Sequence, residues 1–167
     1  MATVGQACLI FALGFSIYGV GASLVGARTG REALVRSGRR SLYVLFALAA
    51  IAFLITEFAF FTSDFHFTVV ATHSSTTTPW YYRLAAMWSS QQGSLMLWLT
   101  LLAGWSSLCV VMLRGRLRDV APYAVAVLLG FGAFFTAVML FSASPFETVP
   151  VAPPEGTGLN RCCATRA

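Results

Sequence analysis

Four long apolar runs divide the chain, and segments rich in arginine or in aromatic residues separate them. The runs cover residues 4–25, 42–61, 95–113 and 121–141. Each run is about 20 residues long, which is the length of α-helix that crosses a hydrocarbon core about 30 Å thick. The pattern therefore predicts an all-α integral membrane protein with four transmembrane helices.

The composition agrees with this interpretation and excludes a soluble domain. Hydrophobic residues make up 57% of the chain and charged residues only 10%, whereas soluble domains carry about 25% charged residues. So few charges cannot cover a water-facing surface. The net charge of +5 would suit a nucleic acid in a soluble protein. Here the basic residues cluster between the apolar runs, so we expect no nucleic acid partner.

The distribution of arginine predicts the orientation of the helices. All eleven basic residues are arginine: five lie between the first and second runs and three between the third and fourth. The segment 62–94 contains only Arg83. Because loops rich in basic residues stay on the cytoplasmic side of a membrane, we expect both termini and segment 62–94 to lie outside.

The outer segment between the second and third runs is aromatic, and its part around His66 and His73 has no helical pattern. Phe65, Phe67 and Val69 alternate with their neighbours in a short strand-like pattern. Trp80 and Tyr81 follow, and such residues form aromatic belts at membrane interfaces. We expect an aromatic outer loop that lies against the membrane surface.

Three polar side chains near the outer face are candidate functional residues. His66 and His73 could ligate haem iron, but their spacing in a segment without a predicted helix supplies no pairing geometry. Solvated or loop-bonded histidines are therefore favoured, and no metal site is predicted. Glu57 lies near the outer end of the second run. It either reaches toward the headgroups or faces a partner or polar cavity.

A short polar segment, 89–94, stands at the entrance to the third helix. Ser94 is suited to cap that helix, whereas capping does not explain the two glutamines. Trp98 and Trp105 are seven residues apart and share one helical face. A polar ledge above a tryptophan-lined face would suit a flat amphiphilic ligand with carboxylate edges. The candidate surface consists of Trp88, Gln91, Gln92, Gly93, Ser94 and Trp98.

The same surface has a simpler explanation, which the sequence leaves open. Ser94 would cap the helix, and Trp98 would pack inside the bundle. The chain contains no nucleophile motif, phosphate loop or haem attachment motif. We therefore predict no catalytic residue.

The residues of this segment resemble a known family. "AAMWSSQQGSLMLW" (85–98) is similar to the W-x-x-[HQ]-[EQ]-G-S-L-x-L-W stretch of the CcmF haem lyase family of cytochrome c-type biogenesis. "DFHFTVVATHSSTTTPWYYRLAAMW" (64–88) and "SPFETVPVAPPEGTGLN" (144–160) resemble two further stretches of that family. The chain departs from the family pattern at His73 and Trp80, at Arg83 in place of lysine, and at Gln92 where many members have glutamate.

The resemblance implies a membrane component of cytochrome c maturation. Family members lie in the bacterial cytoplasmic (inner) membrane with a periplasmic functional face, hold haem there and attach it to apocytochrome c. The implied partners are haem-delivery and apocytochrome c-handling proteins. The family's ligand histidines and tryptophan-rich loop come later in the chain and have no equivalent here. We therefore expect no tight haem binding by this chain alone and an inactive fragment, and whether it acts as an enzyme stays open.

The end of the chain also departs from the family, whose members continue with Pro-Leu-Leu-Arg-His-Pro after the position of Asn160. One cytosine added after an AAC codon for Asn160 would turn the codons for residues 161–166, Arg-Cys-Cys-Ala-Thr-Arg, into codons for that sequence. We expect residues 1–160 to be the N-terminal part of a haem lyase-type membrane domain and residues 161–167 to be a frameshifted tail.

Two other functions fit part of the pattern. The first is a four-helix membrane anchor or quinone-site subunit of a respiratory complex. Such a protein would need histidines inside facing helices as haem ligands. Both histidines here lie in the outer loop, which counts against this function. A non-catalytic scaffold that recruits apocytochrome or a haem-delivery partner fits nearly as well as the haem lyase interpretation.

Overall fold

The described part of the chain folds into six helices, four of which are long. The computed structural model describes residues 1–75, 79–112 and 120–149, with only the backbone of Trp80 and Leu84. The helices are α1 (Ala2–Thr29), α2 (Glu32–Phe61), α3 (Thr68–His73), α4 (Trp80–Ser89), α5 (Gln91–Met112) and α6 (Ala121–Phe141). In the described part of the chain, α1, α2, α5 and α6 are long and apolar enough to cross a membrane. The predicted all-α membrane protein with four transmembrane helices is confirmed.

The four long helices pack as a bundle. Helix α1 lies against α2 and α6, and α5 lies against the same two helices from the other side. At Gly19 of α1, an added Cβ would lie 2.7 Å from the Cβ of Ser41 and 2.6 Å from a methyl group of Leu129. Three helices therefore meet at this glycine, and small residues allow such close approach in membrane bundles.

The outward surface of the bundle is as apolar as its interior. Phe11, Leu54, Trp98 and Phe134 are each more than half exposed. In water this surface would drive aggregation, but it is the surface that hydrocarbon requires. Helices suit this environment because they satisfy their own backbone hydrogen bonds.

One end of the bundle, here the capped end, is closed by α3, α4 and the chain after α6. Phe67 and Thr148 form an isolated antiparallel bridge. The Thr68 N–H donates to the Glu147 carbonyl at 2.9 Å. Phe146 is buried with its ring directly over Gly5. The segment after α6 therefore covers the start of α1.

The opposite end, here the arginine end, carries the turn between α1 and α2 and the start of α6. The described arginines at this end are Arg28, Arg31, Arg36, Arg39 and Arg40, whereas Arg83 lies at the capped end. Helix α2 begins at Glu32 rather than at the apolar run starting with Leu42. Arginine is a good helix former, so the helix continues through the arginine-rich stretch beyond the apolar run.

The prediction that the segment around His66 and His73 is not helical was wrong, because Thr68–His73 form helix α3. The strand-like pattern produces only the bridge at Phe67, and helix α3 begins at the next residue. Within α3, Val69, Val70 and Ala71 are all buried. An alternating strand would instead expose every second residue. Helix α4 follows Pro79 and includes alanine and methionine, which favour helices.

Two predictions lie outside the described residues. The proposed tail, 161–167, and the last part of the proposed domain, 150–160, are not described, and neither is the arginine-bearing segment 113–119.

Candidate functional site at the start of helix α5

A single residue, Ser90, connects α4 to α5, and it caps the start of α5. Its Oγ accepts a hydrogen bond from the Gly93 N–H at 3.0 Å and donates to the Met87 carbonyl at 2.7 Å. Its carbonyl accepts from the Ser94 N–H at 3.0 Å. This is the geometry of an N-cap, in which a serine oxygen satisfies a free N–H of the first turn.

The predicted capping role of Ser94 was therefore wrong. Ser94 lies inside α5, and its Oγ donates to the Gln91 carbonyl at 2.9 Å. The helix begins at Gln91, earlier than the apolar run, because the two glutamines are compatible with a helix even though they are polar. Sequence reasoning missed Ser90, although its spacing of three residues from Gly93 also fits a cap.

Gly93 is packed against the end of α4 and does not lie on an open surface. It is buried, and an added Cβ would collide with the carbonyl oxygen of Met87. The Ser90 Oγ would lie 2.8 Å from the same Cβ. Glycine is required here because the first turn of α5 lies directly against the end of α4.

Three of the candidate residues share one outward stripe of α5. Gln91, Ser94 and Trp98 are spaced by three and four residues, which places them on one helical face. Gln91 is exposed and Ser94 is half-buried. The stripe continues to Trp105, and both tryptophans are 65% exposed. We call Gln91, Ser94, Trp98 and Trp105 the α5 stripe.

The other candidates lie apart from the stripe. Gln92 is half-buried and is turned by about 100° around the helix from Gln91. Trp88 is 56% exposed and belongs to the last turn of α4. The structure thus joins three of the six predicted residues on one face and distributes the others around the α4–α5 junction.

The α5 stripe presents amide, hydroxyl and indole groups. Within the described residues, neither Gln91 nor Gln92 forms a side-chain hydrogen bond, so the amide of Gln91 is open to an external partner. An amide donates and accepts hydrogen bonds, and an indole offers a flat apolar face. The stripe contains no titratable group, and the hydroxyl of Ser94 donates to the Gln91 carbonyl.

The two histidines lie in the cap and do not face each other across a common site. The Nδ1 of His73 lies 2.8 Å from Thr72 Oγ1 and 3.2 Å from the Val69 carbonyl oxygen. His66 is exposed, and its backbone N–H donates to Asp64 Oδ1 at 3.2 Å. The described residues contain no group of three or more histidine, cysteine or acidic side chains that could hold a metal ion.

The chain was compared with known proteins. No family model matches it. It is 34% identical over 161 residues to the cytochrome c-type biogenesis protein CcmF of Escherichia coli, covering 96% of this chain and 25% of that protein. It is 36% identical over 162 residues to CcmF of Haemophilus influenzae, with the same coverage. A solved structure named cytochrome c heme lyase CcmF superposes with a TM-score of 0.81 at 34% identity, covering 89% of this chain and 25% of that one.

The chain belongs to the CcmF family. It spans about a quarter of the length of the curated relatives that it matches. The resemblance first seen in the segments around Trp88 and Gly93 therefore extends over nearly the whole chain, including α1 and α2.

In this CcmF homologue, Glu57 lies close in height to the start of α5. Thr100 Oγ1 is 3.5 Å from the Ala49 carbonyl oxygen, which sets the antiparallel register of α2 and α5. Glu57 is eight residues after Ala49 and Gln92 is eight residues before Thr100, so the two side chains leave their helices at the same level. Glu57 is half-buried, and its Oε2 is buried without a hydrogen-bond partner among the described residues.

Proposed function

We propose that this chain contributes to cytochrome c maturation by presenting the α5 stripe, with Gln92 and Trp88 beside it, to haem or to a haem-handling partner on the outer face of the membrane. Membership of the CcmF family supports the process. The solved relative is named a heme lyase, which supports haem as the cofactor handled.

The proposal rests on one observation: the side-chain amide of Gln91, unpaired among the described residues, lies on the same exposed face of α5 as the indoles of Trp98 and Trp105. Gln91 is exposed at the capped end, and Trp98 lies about 10 Å further along the helix on the same face. Haem is a flat apolar ring with carboxylates at one edge. The amide N–H groups would donate to the carboxylates, and the indole would contact the ring.

The depth of the tryptophans supports a bound surface over a simple aromatic belt. Trp98 and Trp105 lie about 10 and 21 Å from Gln91 along a helix that is about 33 Å long. Tryptophan is enriched at membrane interfaces, but these two residues lie deeper. An indole N–H directed into hydrocarbon lacks an acceptor, which is unfavourable. A ligand or a protein neighbour would supply one.

Iron ligation and covalent attachment of haem do not belong to this chain in our proposal. The α5 stripe carries no histidine, and the local contacts of His73 bind its ring to α3. We propose that these steps depend on parts of the longer relatives that this chain does not match, so that the chain alone is inactive. Residues 1–160 would act as part of a larger haem lyase-type domain.

The capped end is the outer end in this proposal. The capped end would face the periplasm across the bacterial cytoplasmic (inner) membrane, with both termini outside. The arginine end would face the cytoplasm. Haem-delivery and apocytochrome c-handling proteins would then approach the capped end, where Tyr81, Tyr82 and Trp88 are more than half exposed.

The test uses a chimera in which residues 1–160 replace the matching quarter of the Escherichia coli relative, in a strain without that relative. The double variant Gln91→Ala/Gln92→Ala should lower haem-stained cytochrome c by roughly tenfold, because a hydrogen bond to a charged group contributes about 1.5–3 kcal/mol. The unmodified chimera sets the reference, and immunoblotting checks that the amount of chimera in the membrane is unchanged.

Gln6→Ala is the matched control, because Gln6 is an exposed glutamine in the first turns of α1 at the same end of the bundle. It should leave maturation intact. Full maturation in the double glutamine variant would refute a binding role for the start of α5 and leave it as a helix entrance.

A further inference from the structure

Two polar side chains at the arginine end have buried atoms without partners. Arg39 and Tyr43 lie one turn apart on α2, and both are half-buried. The Nε of Arg39 and the hydroxyl of Tyr43 are buried, and neither has a hydrogen-bond partner among the described residues. Buried polar atoms are almost always hydrogen-bonded. Two such groups in adjacent turns, without a partner among the described residues, would suit an acceptor supplied by the membrane.

Arg39 differs from the arginines around it. Arg28, Arg31, Arg36 and Arg40 are exposed, so water can solvate their guanidinium groups. Among the described arginines of this end, Arg39 alone is withdrawn from solvent. Its Nε is the guanidinium nitrogen that is buried without a partner among the described residues, and leaving a buried donor unpaired is unfavourable.

The two side chains lie at the height of lipid headgroups. The apolar run of α2 covers residues 42–61, and its length matches a hydrocarbon core about 30 Å thick. Arg39 lies about 5 Å outside that run along the helix axis, and Tyr43 lies in its first turn. Lipid phosphates occupy this boundary, and tyrosine is favoured there.

The neighbouring surface suits an acyl chain. Phe46 follows Arg39 by seven residues, so it continues the same face of α2. Its ring packs over Gly104 of α5, at 3.0 Å from the position of an added Cβ, and it is 38% exposed. An apolar surface that spans α2 and α5 therefore begins directly beneath the hydroxyl of Tyr43.

We propose that Arg39 and Tyr43 bind the phosphodiester of an anionic phospholipid, whose acyl chain lies over Phe46. Both side chains can donate to an oxygen anion at this height, and arginine matches phosphate oxygens in geometry. Arg36 and Arg40 add long-range attraction for an anionic leaflet. The bound lipid fixes the arginine end of α2 against α5.

The site can be tested with the purified chain in a neutral detergent, titrated with phosphatidylglycerol and followed by native mass spectrometry. One lipid should bind more tightly than the rest. Arg39→Gln should weaken this binding by roughly tenfold, and Tyr43→Phe by roughly threefold, because hydrogen bonds to an ionised oxygen are the stronger class. Tyr43→Phe removes a hydroxyl that has no partner among the described residues, so the melting temperature without lipid should not fall.

Two matched controls separate this site from general charge attraction. Arg40→Gln removes the same charge from the neighbouring exposed position and should change binding by less than about twofold. Tyr18→Phe removes a hydroxyl that contacts Ser37 Oγ at 2.9 Å and should leave lipid binding unchanged. Equal weakening by Arg39→Gln and Arg40→Gln, or unchanged binding in Tyr43→Phe, would overturn the proposal.

Two further arms identify the ligand. Phosphatidylcholine should bind more weakly than phosphatidylglycerol, and equal binding would contradict an anionic site. Inorganic phosphate should not displace the bound lipid at millimolar concentration. Displacement at that concentration would show a site for soluble phosphate and would also contradict the proposal.

Discussion

At the scale of single residues, the start of α5 depends on one buried hydroxyl. Ser90 is 1% exposed, and its Oγ serves both the Gly93 N–H and the Met87 carbonyl. Ser94, four residues later, bonds only to the carbonyl of Gln91 at a more open position. The two serines therefore differ in energetic role although they look alike in the sequence.

Ser90→Ala should lower the free energy of unfolding by about 1–2 kcal/mol, because the N-cap is lost and the Gly93 N–H stays buried without an acceptor. Ser94→Ala should change it by less than about 0.5 kcal/mol, as is usual for a position without such a contact. Unfolding of the purified chain in mixed micelles, followed by circular dichroism, measures both values. A larger loss for Ser94→Ala would contradict the assignment of Ser90 as the cap.

The sequence predicted this site in part. The composition of segment 89–94 correctly marked a helix start, and the seven-residue spacing correctly placed Trp98 and Trp105 on one face. It assigned the cap to Ser94 instead of Ser90, because glutamine is accepted both inside and outside a helix and the helix start was therefore placed too late. The burial of Gly93 depends on how closely α4 approaches, and that contact is tertiary.

At the scale of elements, length and hydropathy predicted the four spanning helices but not the two short ones. A run of about 20 apolar residues has few alternatives to a transmembrane helix. Helix α3 has only six residues, and its sequence Thr-Val-Val-Ala favours a strand by local preference. The burial of Val69 and Val70 against the capped end overrides that preference.

The capped end should depend on the segment after α6. Phe146 is 4% exposed and covers Gly5. Phe146→Ala should lower the free energy of unfolding by about 3–5 kcal/mol, because the removed ring leaves a cavity. Phe141→Ala is the control, since Phe141 is 81% exposed and loses little packing.

Protection of backbone amides from hydrogen exchange at Thr68 and Val149 provides a second readout, since both donate across the bridge. Phe146→Ala should speed exchange at these two amides. Equal stability and exchange in the Phe146 and Phe141 variants would show that the segment after α6 does not close the bundle.

At the scale of the whole molecule, we propose a different role for each end of the bundle. The capped end carries the open amide of Gln91 and the exposed Trp88, which we propose meet haem or its handling proteins outside the membrane. The arginine end carries Arg39 and Tyr43, which we propose hold a lipid. Family membership came from sequence motifs and is supported by the superposition of nearly the whole chain.

Cysteine labelling in intact cells determines whether the capped end is the outer end, at which we propose that haem or its handling proteins bind. In a background with its native cysteines replaced, Gln91→Cys at the capped end and Thr29→Cys at the arginine end both place a thiol at an exposed position. A membrane-impermeant maleimide should label Gln91→Cys in intact spheroplasts and Thr29→Cys only after the membrane is opened, because the arginine-rich end stays in the cytoplasm. Labelling of Thr29→Cys but not Gln91→Cys in intact spheroplasts would place the capped end in the cytoplasm and contradict the proposed orientation.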